Sequence, residues 1–115
     1  MPRHVLALDL KDDPELIAQY RAWHRPGTPP QAIARSIRSA GIDRLEIYLA
    51  GNRLVMIIEA DDDFSLAEKA KRDAGNPDVQ AWETLMWRFQ QPLPGTEPGE
   101  KWVSMEAIYS LAEHP

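Results

Sequence analysis

The chain has 115 residues, 43% of them hydrophobic, which suffices for one compact domain with one core and is short for two. Its formal net charge of -5 comes from 18 acidic and 13 basic residues spread along the chain, which argues against a nucleic-acid footprint of clustered Lys and Arg and favours a small neutral ligand. With no cysteine, a disulfide framework, a thiolate nucleophile and a thiolate metal site are all excluded.

In chain order, His4 to Leu10 reads as an apolar strand, stopped by Lys11-Asp12-Asp13-Pro14. Asp13 is a good helix N-cap with Pro14 at the first helical position, where its missing N–H is harmless. Leu16, Ile17, Tyr20 and His24 then share a stripe at helical spacing, and Arg25-Pro26-Gly27-Thr28-Pro29-Pro30 breaks the helix, so His24 falls at its end. A second helix carries Ile33 and Ile37 on one face, with Gly41 as its left-handed terminator. From Ile42 the period changes: Leu45, Ile47 and Leu49 alternate with Arg44, Glu46 and Tyr48, as in a strand with one buried face. Gly51-Asn52 turns the chain into Leu54 to Glu59, apolar on both sides, and the two segments predict an antiparallel hairpin. Asp61-Asp62-Asp63 marks a third helix start, with Asp63 as expected N-cap and Phe64, Ala67 and Ala70 expected inward. Asn76-Pro77 interrupts it. A fourth helix carries Val79, Trp82, Leu85, Met86 and Phe89. A Pro/Gly-rich loop then leads to a last expected strand over Trp102, Val103, Met105, Ile108, Tyr109 and Leu111.

The order strand, helices, strand, strand, helices, strand predicts an α+β fold, the ferredoxin-like split βαβ, with an antiparallel sheet covered by helices on one face. The other face needs a cover. Apolar residues on both sides of the central strand predict a second copy packed sheet to sheet, a homodimer forming a dimeric α/β barrel. No apolar run approaches the roughly 20 residues of a membrane span and no leader pattern is present, so a soluble cytoplasmic protein is expected.

The residues with chemical potential are few. Tyr20 and His24, four apart on a helix, can converge a hydroxyl and an imidazole on one small polar ligand. The same spacing equally suits a tyrosine at the edge of the core and a histidine capping the helix. The other histidines, His4 and His114, lie near the termini, which leaves His24 as the candidate group titrating near neutrality. Trp82 and Trp102 offer indole faces for the apolar C–H patches of a small ligand and an N–H for a hydroxyl, or else pack the core. Trp23 and Trp87 read as packing or dimer contacts. Glu59 and Glu83 can reach a ligand hydroxyl, and Glu100 and Lys101 can close a site from the loop; most other acidic residues read as caps or solvated surface.

Together, Tyr20-x-x-x-His24, Gly41 before the strand ending Ile47-Tyr48-Leu49, the strand from Met56 to Glu59, Trp82 with Met86, and the terminal Tyr109-Ser110-Leu111 resemble the L-rhamnose mutarotase family over nearly the whole chain. Pro92-Leu93-Pro94 and Gly99-Glu100-Lys101-Trp102 are similar to a branch associated with L-fucose. The resemblance implies a small cofactor-free dimeric isomerase that interconverts the α and β anomers of a 6-deoxy-L-hexose, a monosaccharide substrate, without a metal. It implies His24 as proton donor, Tyr20 as a hydrogen-bonding partner of the substrate and Trp82 as a sugar-contacting aromatic. Two departures bear on the substrate: Glu83 stands where L-rhamnose-specific members have a second aromatic, and Leu45 where they have a tyrosine. Thr28-Pro29-Pro30 likewise replaces a Trp-Pro pair. These departures favour L-fucose. The same fold also serves non-catalytic small-molecule binding modules and cofactor-free oxygenases, which remain the alternative.

Overall fold

The computed structural model describes residues 2–97 and 100–114. The elements run β1 (Arg3–Leu10), α1 (Pro14–Trp23), α2 (Gln31–Ser39), β2 (Ile42–Ala50), β3 (Arg53–Ala60), α3 (Leu66–Ala74), α4 (Pro77–Trp87), β4 (Gln90–Gln91) and β5 (Val103–Ser104), then a 3-10 turn over Leu111–Glu113. The sheet order is β2-β3-β1-β4, with β5 also pairing β1, and every pairing is antiparallel. That is the ferredoxin-like order, with the first and third strands central. Among the described residues no helix is long and apolar enough to cross a membrane.

Local chemistry explains where the helices begin. The Asp13 carboxylate accepts from the N–H groups of Glu15 and Leu16 at 2.9 and 3.1 Å, with Pro14 behind it, so orphan donors of the first turn are satisfied. Asn76 does the same for Asp78 and Val79, with Pro77 at the first helical position. α3 departs from expectation. Its N-cap is Ser65, whose hydroxyl accepts from Glu68 N–H at 3.2 Å, because Asp61 has already closed an earlier turn by accepting from Asp63 N–H at 3.1 Å. Shifting the helix start by two residues turns Leu66, Lys69 and Asp73 inward and leaves Ala67 and Ala70 exposed. At Gly41, φ is +92° and an added Cβ would collide with the Asp61 carboxylate, while Gly41 C=O accepts from Asp61 N–H at 3.0 Å. Only glycine fits this corner between α2 and β2.

Alternation along the central strands separates two faces. Leu6 and Leu10 of β1, Leu54 and Ile58 of β3, and Leu45 and Ile47 of β2 face the helices and build the core with Tyr20, Met86 and Phe89. Phe89, expected in α4, follows the helix end and is 1% exposed. On the helix-free face the register aligns Ala7, Val55 and Tyr48, and beside them Val5, Ile57 and Glu46. The last strand is shorter than expected. β5 holds only Val103–Ser104, Met105 N–H donates to Val5 C=O at 2.7 Å, and Met105, Ile108, Tyr109 and Leu111 are then exposed. The Gly99 part of the loop motif lies outside the described residues.

Candidate active site

The end of α1 fixes His24. Its backbone N–H donates to Arg21 C=O at 3.1 Å as the helix C-cap, and its side-chain Nδ1 lies 2.7 Å from Tyr20 C=O. A carbonyl only accepts, so Nδ1 carries the hydrogen and Nε2 keeps its lone pair. The ring lies over Tyr20, centroids 4.3 Å apart, and meets Trp82 edge-on at 5.6 Å. Trp82 in turn meets Trp23 edge-on at 6.2 Å, so that Trp23 braces the indole. Burial pushes the His24 pKa below its ordinary value, and the bond to Tyr20 C=O raises it only in part. The imidazole is therefore neutral at pH 7, with one ring nitrogen poised as a base.

Tyr20 is 4% exposed in the core, packed edge-on to Phe89 at 6.0 Å, with its ring against that of His24. Burial raises its pKa and the Gln90 amide pulls it partly back, so the phenol stays protonated.

A cavity of about 230 Å³ opens between the helices and the sheet. Its inner wall is apolar, with Leu45, Met56, Ile58 and Met86, and Trp82 and Trp102 flank it. The polar side is charged but paired. Lys69 and Asp73, one turn apart on α3, form an ion pair with side chains only 19% and 15% exposed. Lys101 Nζ stands 4.0 Å from Glu83 and 4.6 Å from the centre of the Trp87 ring, and burial lowers its pKa while Glu83 raises it. The cavity is below the roughly 300 Å³ at which pockets for drug-sized ligands begin. An apolar wall facing a few polar and charged side chains suits a small ligand of mixed polarity. Among the described residues no group of three or more His, Asp or Glu side chains is placed to hold a metal ion.

Trp82, Glu83, Leu45 and Trp102 thus line one cavity; His24 and Tyr20 are not among its lining residues, and His24 reaches it through its edge-on contact with Trp82. Glu59 is not brought there. Strand alternation puts it on the helix-free face, where it accepts from Arg3 at 3.0 Å. Sequence reasoning missed Lys69, Asp73 and Gln90. The first two needed the α3 start at Ser65, from which Leu66, Lys69 and Asp73 fall on one face; Gln90 had no periodic signal, because β4 is two residues long.

A family model described as L-rhamnose mutarotase matches residues 3–111. The chain belongs to the L-rhamnose mutarotase family. It is 51% identical to an L-fucose mutarotase of Xanthomonas campestris pv. campestris over 113 residues, covering 98% of this chain and 90% of the relative. Among solved structures, an L-rhamnose mutarotase from Formosa agariphila superimposes with a TM-score of 0.67 at 17% identity, over 96% of this chain and 98% of that one. A type-II polyketide cyclase from Streptomyces glaucescens follows at 0.63 and 21%, over 96% of each chain. These two likenesses establish the fold alone. Similar scores for an isomerase and a cyclase show that this scaffold hosts unrelated chemistry; sequence identity along the chain selects the sugar mutarotase, an isomerase.

Proposed function

We propose that this mutarotase acts on L-fucose in preference to L-rhamnose, as a homodimer, with His24 as its acid–base group. The observation that carries the chemistry is the 2.7 Å contact of His24 Nδ1 with Tyr20 C=O, which leaves Nε2 as the basic nitrogen of a ring packed edge-on against the cavity-lining Trp82. With the methyl group of a 6-deoxy-L-hexose against the apolar wall, Nε2 takes the proton of the anomeric hydroxyl. The bond from C1 to the ring oxygen breaks, C1 becomes the aldehyde carbon, and the imidazolium returns the proton to the former ring oxygen. Both oxygens start on C1, so one imidazole reaches each in turn. Rotation about C1–C2 and the reverse sequence on the other carbonyl face give the second anomer, with no net change in atoms. Tyr20 stays protonated and donates a hydrogen bond to the sugar. Proton transfer by a positioned side chain supplies about 10² to 10⁴ in rate, adequate for a reaction that water already permits.

The preference for L-fucose is supported by the name of the 51% identical relative and by Leu45 and Glu83, both on the cavity wall. The dimer is supported by Val5, Ala7, Val55, Ile57 and Tyr48 on the helix-free sheet face and by the exposed Met105, Ile108, Tyr109 and Leu111. The radius of gyration, 14.9 Å, exceeds the roughly 13 Å of a compact chain this long, as a projecting terminal segment requires. Polarimetry of freshly dissolved α anomers tests the preference. Catalytic protein should hasten the approach to equilibrium more for L-fucose than for L-rhamnose; the reverse order would overturn it.

A further inference from the structure

Among the described residues, two buried side-chain polar atoms lack a hydrogen-bond partner: His4 Nε2 and Gln90 Oε1. His4 packs edge-on to Phe64, outside the cavity wall. Gln90 is 5% exposed and lines the cavity. A buried amide oxygen left unpaired is unfavourable, and folded proteins seldom leave one without a use.

The position of Gln90 gives the use. β4 pairs Gln90 with Leu10 of β1, and the preceding Phe89 is locked in the core, so the strand holds the amide in place. Phe89, the residue before Gln90, packs edge-on to Tyr20 at 6.0 Å, and the Tyr20 ring lies 4.3 Å from His24. The row His24, Tyr20, Gln90 therefore leads from the acid–base group to the cavity. If the anomeric carbon lies at His24, as the proposed mechanism has it, C2 is the carbon bonded to it and the first stereocentre on the cavity side. Lys69 and Asp73, on α3, already satisfy each other.

We propose that Gln90 is a specificity-determining residue that hydrogen-bonds the C2 hydroxyl of the substrate, and this rests on the mutarotase reading above. An amide both accepts and donates, as a hydroxyl does, and turning it by 180° only exchanges which atom faces the sugar. L-Fucose carries its C2 hydroxyl equatorially and L-rhamnose axially, so a partner fixed by β4 distinguishes them.

The test pairs Gln90→Met, close in volume and apolar, with 2-deoxy-L-fucose, which lacks the hydroxyl. On L-fucose the variant should raise KM about tenfold with little change in kcat, the signature of a lost binding contact. On 2-deoxy-L-fucose it should behave as wild type, since the interaction is already gone. Equal losses on both sugars would mean disturbed packing and overturn the proposal, as would no loss on either. A second readout uses the wild-type protein: the side-chain amide signals of Gln90 in a ¹⁵N-correlated spectrum should shift with L-fucose and much less with 2-deoxy-L-fucose. Absence of that difference overturns the proposal even if the variant fails to fold. If the wild type hastens no sugar but the amide shift appears, the mutarotase reading fails while the hydroxyl contact stands; if neither appears, both fall.

Discussion

Replacing His24 with glutamine separates the chemistry of the site from its architecture. The glutamine amide can still donate to Tyr20 C=O, as Nδ1 does at 2.7 Å, but it cannot take up a proton near neutrality. What the fold loses is the ring contact with Tyr20 at 4.3 Å and with Trp82 at 5.6 Å. Aromatic pairs contribute about 0.5 to 1.5 kcal/mol each beyond burial, so a total of about 1 to 3 kcal/mol is expected for the two. A domain stable by about 5 to 15 kcal/mol survives that, with Tm lowered by roughly 4 to 15 °C. Loss of acid–base catalysis, in contrast, removes about 10² to 10⁴ in rate, or roughly 2.7 to 5.4 kcal/mol of barrier. Calorimetry and NMR exchange on the same sample therefore report two very different effects. A folded His24→Gln protein that exchanges anomers at the wild-type rate would refute the assignment of His24.

Activity should depend on pH in the sense set by a depressed histidine: the base form persists through neutrality, and exchange declines only as pH falls below the ordinary histidine range. Stability follows the same sign. The unfolded chain protonates this residue first, so the His24 contribution is fully present above the unfolded pKa near 6.5 and is lost as pH falls through the lower folded value; acid titrations of wild type and His24→Gln should diverge in that window. Tyr20→Phe keeps the core ring and removes the hydroxyl, so Tm should change little while kcat/KM falls about tenfold for one hydrogen bond; unchanged kinetics would take the hydroxyl out of the site. Gly41→Ala should cost about 2 to 4 kcal/mol in denaturant unfolding, from the left-handed backbone plus the collision with Asp61, whereas Gly51→Ala, at φ +61° with open space around it, should cost only about 1 to 2. Light scattering should give twice the 13.1 kDa chain mass, and Ile108→Asp should lower it toward one chain; a wild-type monomer would contradict the dimer.

Where local signals agreed, the fold could be read from the residues. Asp13-Pro14 and Asn76-Pro77 each combine a capping side chain with a proline that tolerates only the first helical turn, and both begin helices as expected. Alternation in β2 and the apolar run of β3 set a hairpin whose register matches their pattern. Ambiguity arose where several residues could do one job. Three consecutive aspartates offered caps, but Asp61 was taken by its own turn and by Gly41, leaving Ser65 to start α3 and hiding the inward Lys69 and Asp73. Trp102 to Leu111 had strand-like composition without a partner, and only Val103–Ser104 pair within the chain. The site followed the same division. Trp82 and Glu83 on a long helix, and Leu45 on a long strand, were legible; Glu59 was not, since pairing and alternation, rather than proximity in sequence, put it on the opposite face with Arg3.

The most direct test of the account is NMR magnetisation transfer between the two anomeric proton signals of L-fucose, with catalytic amounts of the protein and no added metal. The account predicts transfer well above the buffer rate, and above that for L-rhamnose under the same conditions. Transfer at the buffer rate for both sugars would contradict it.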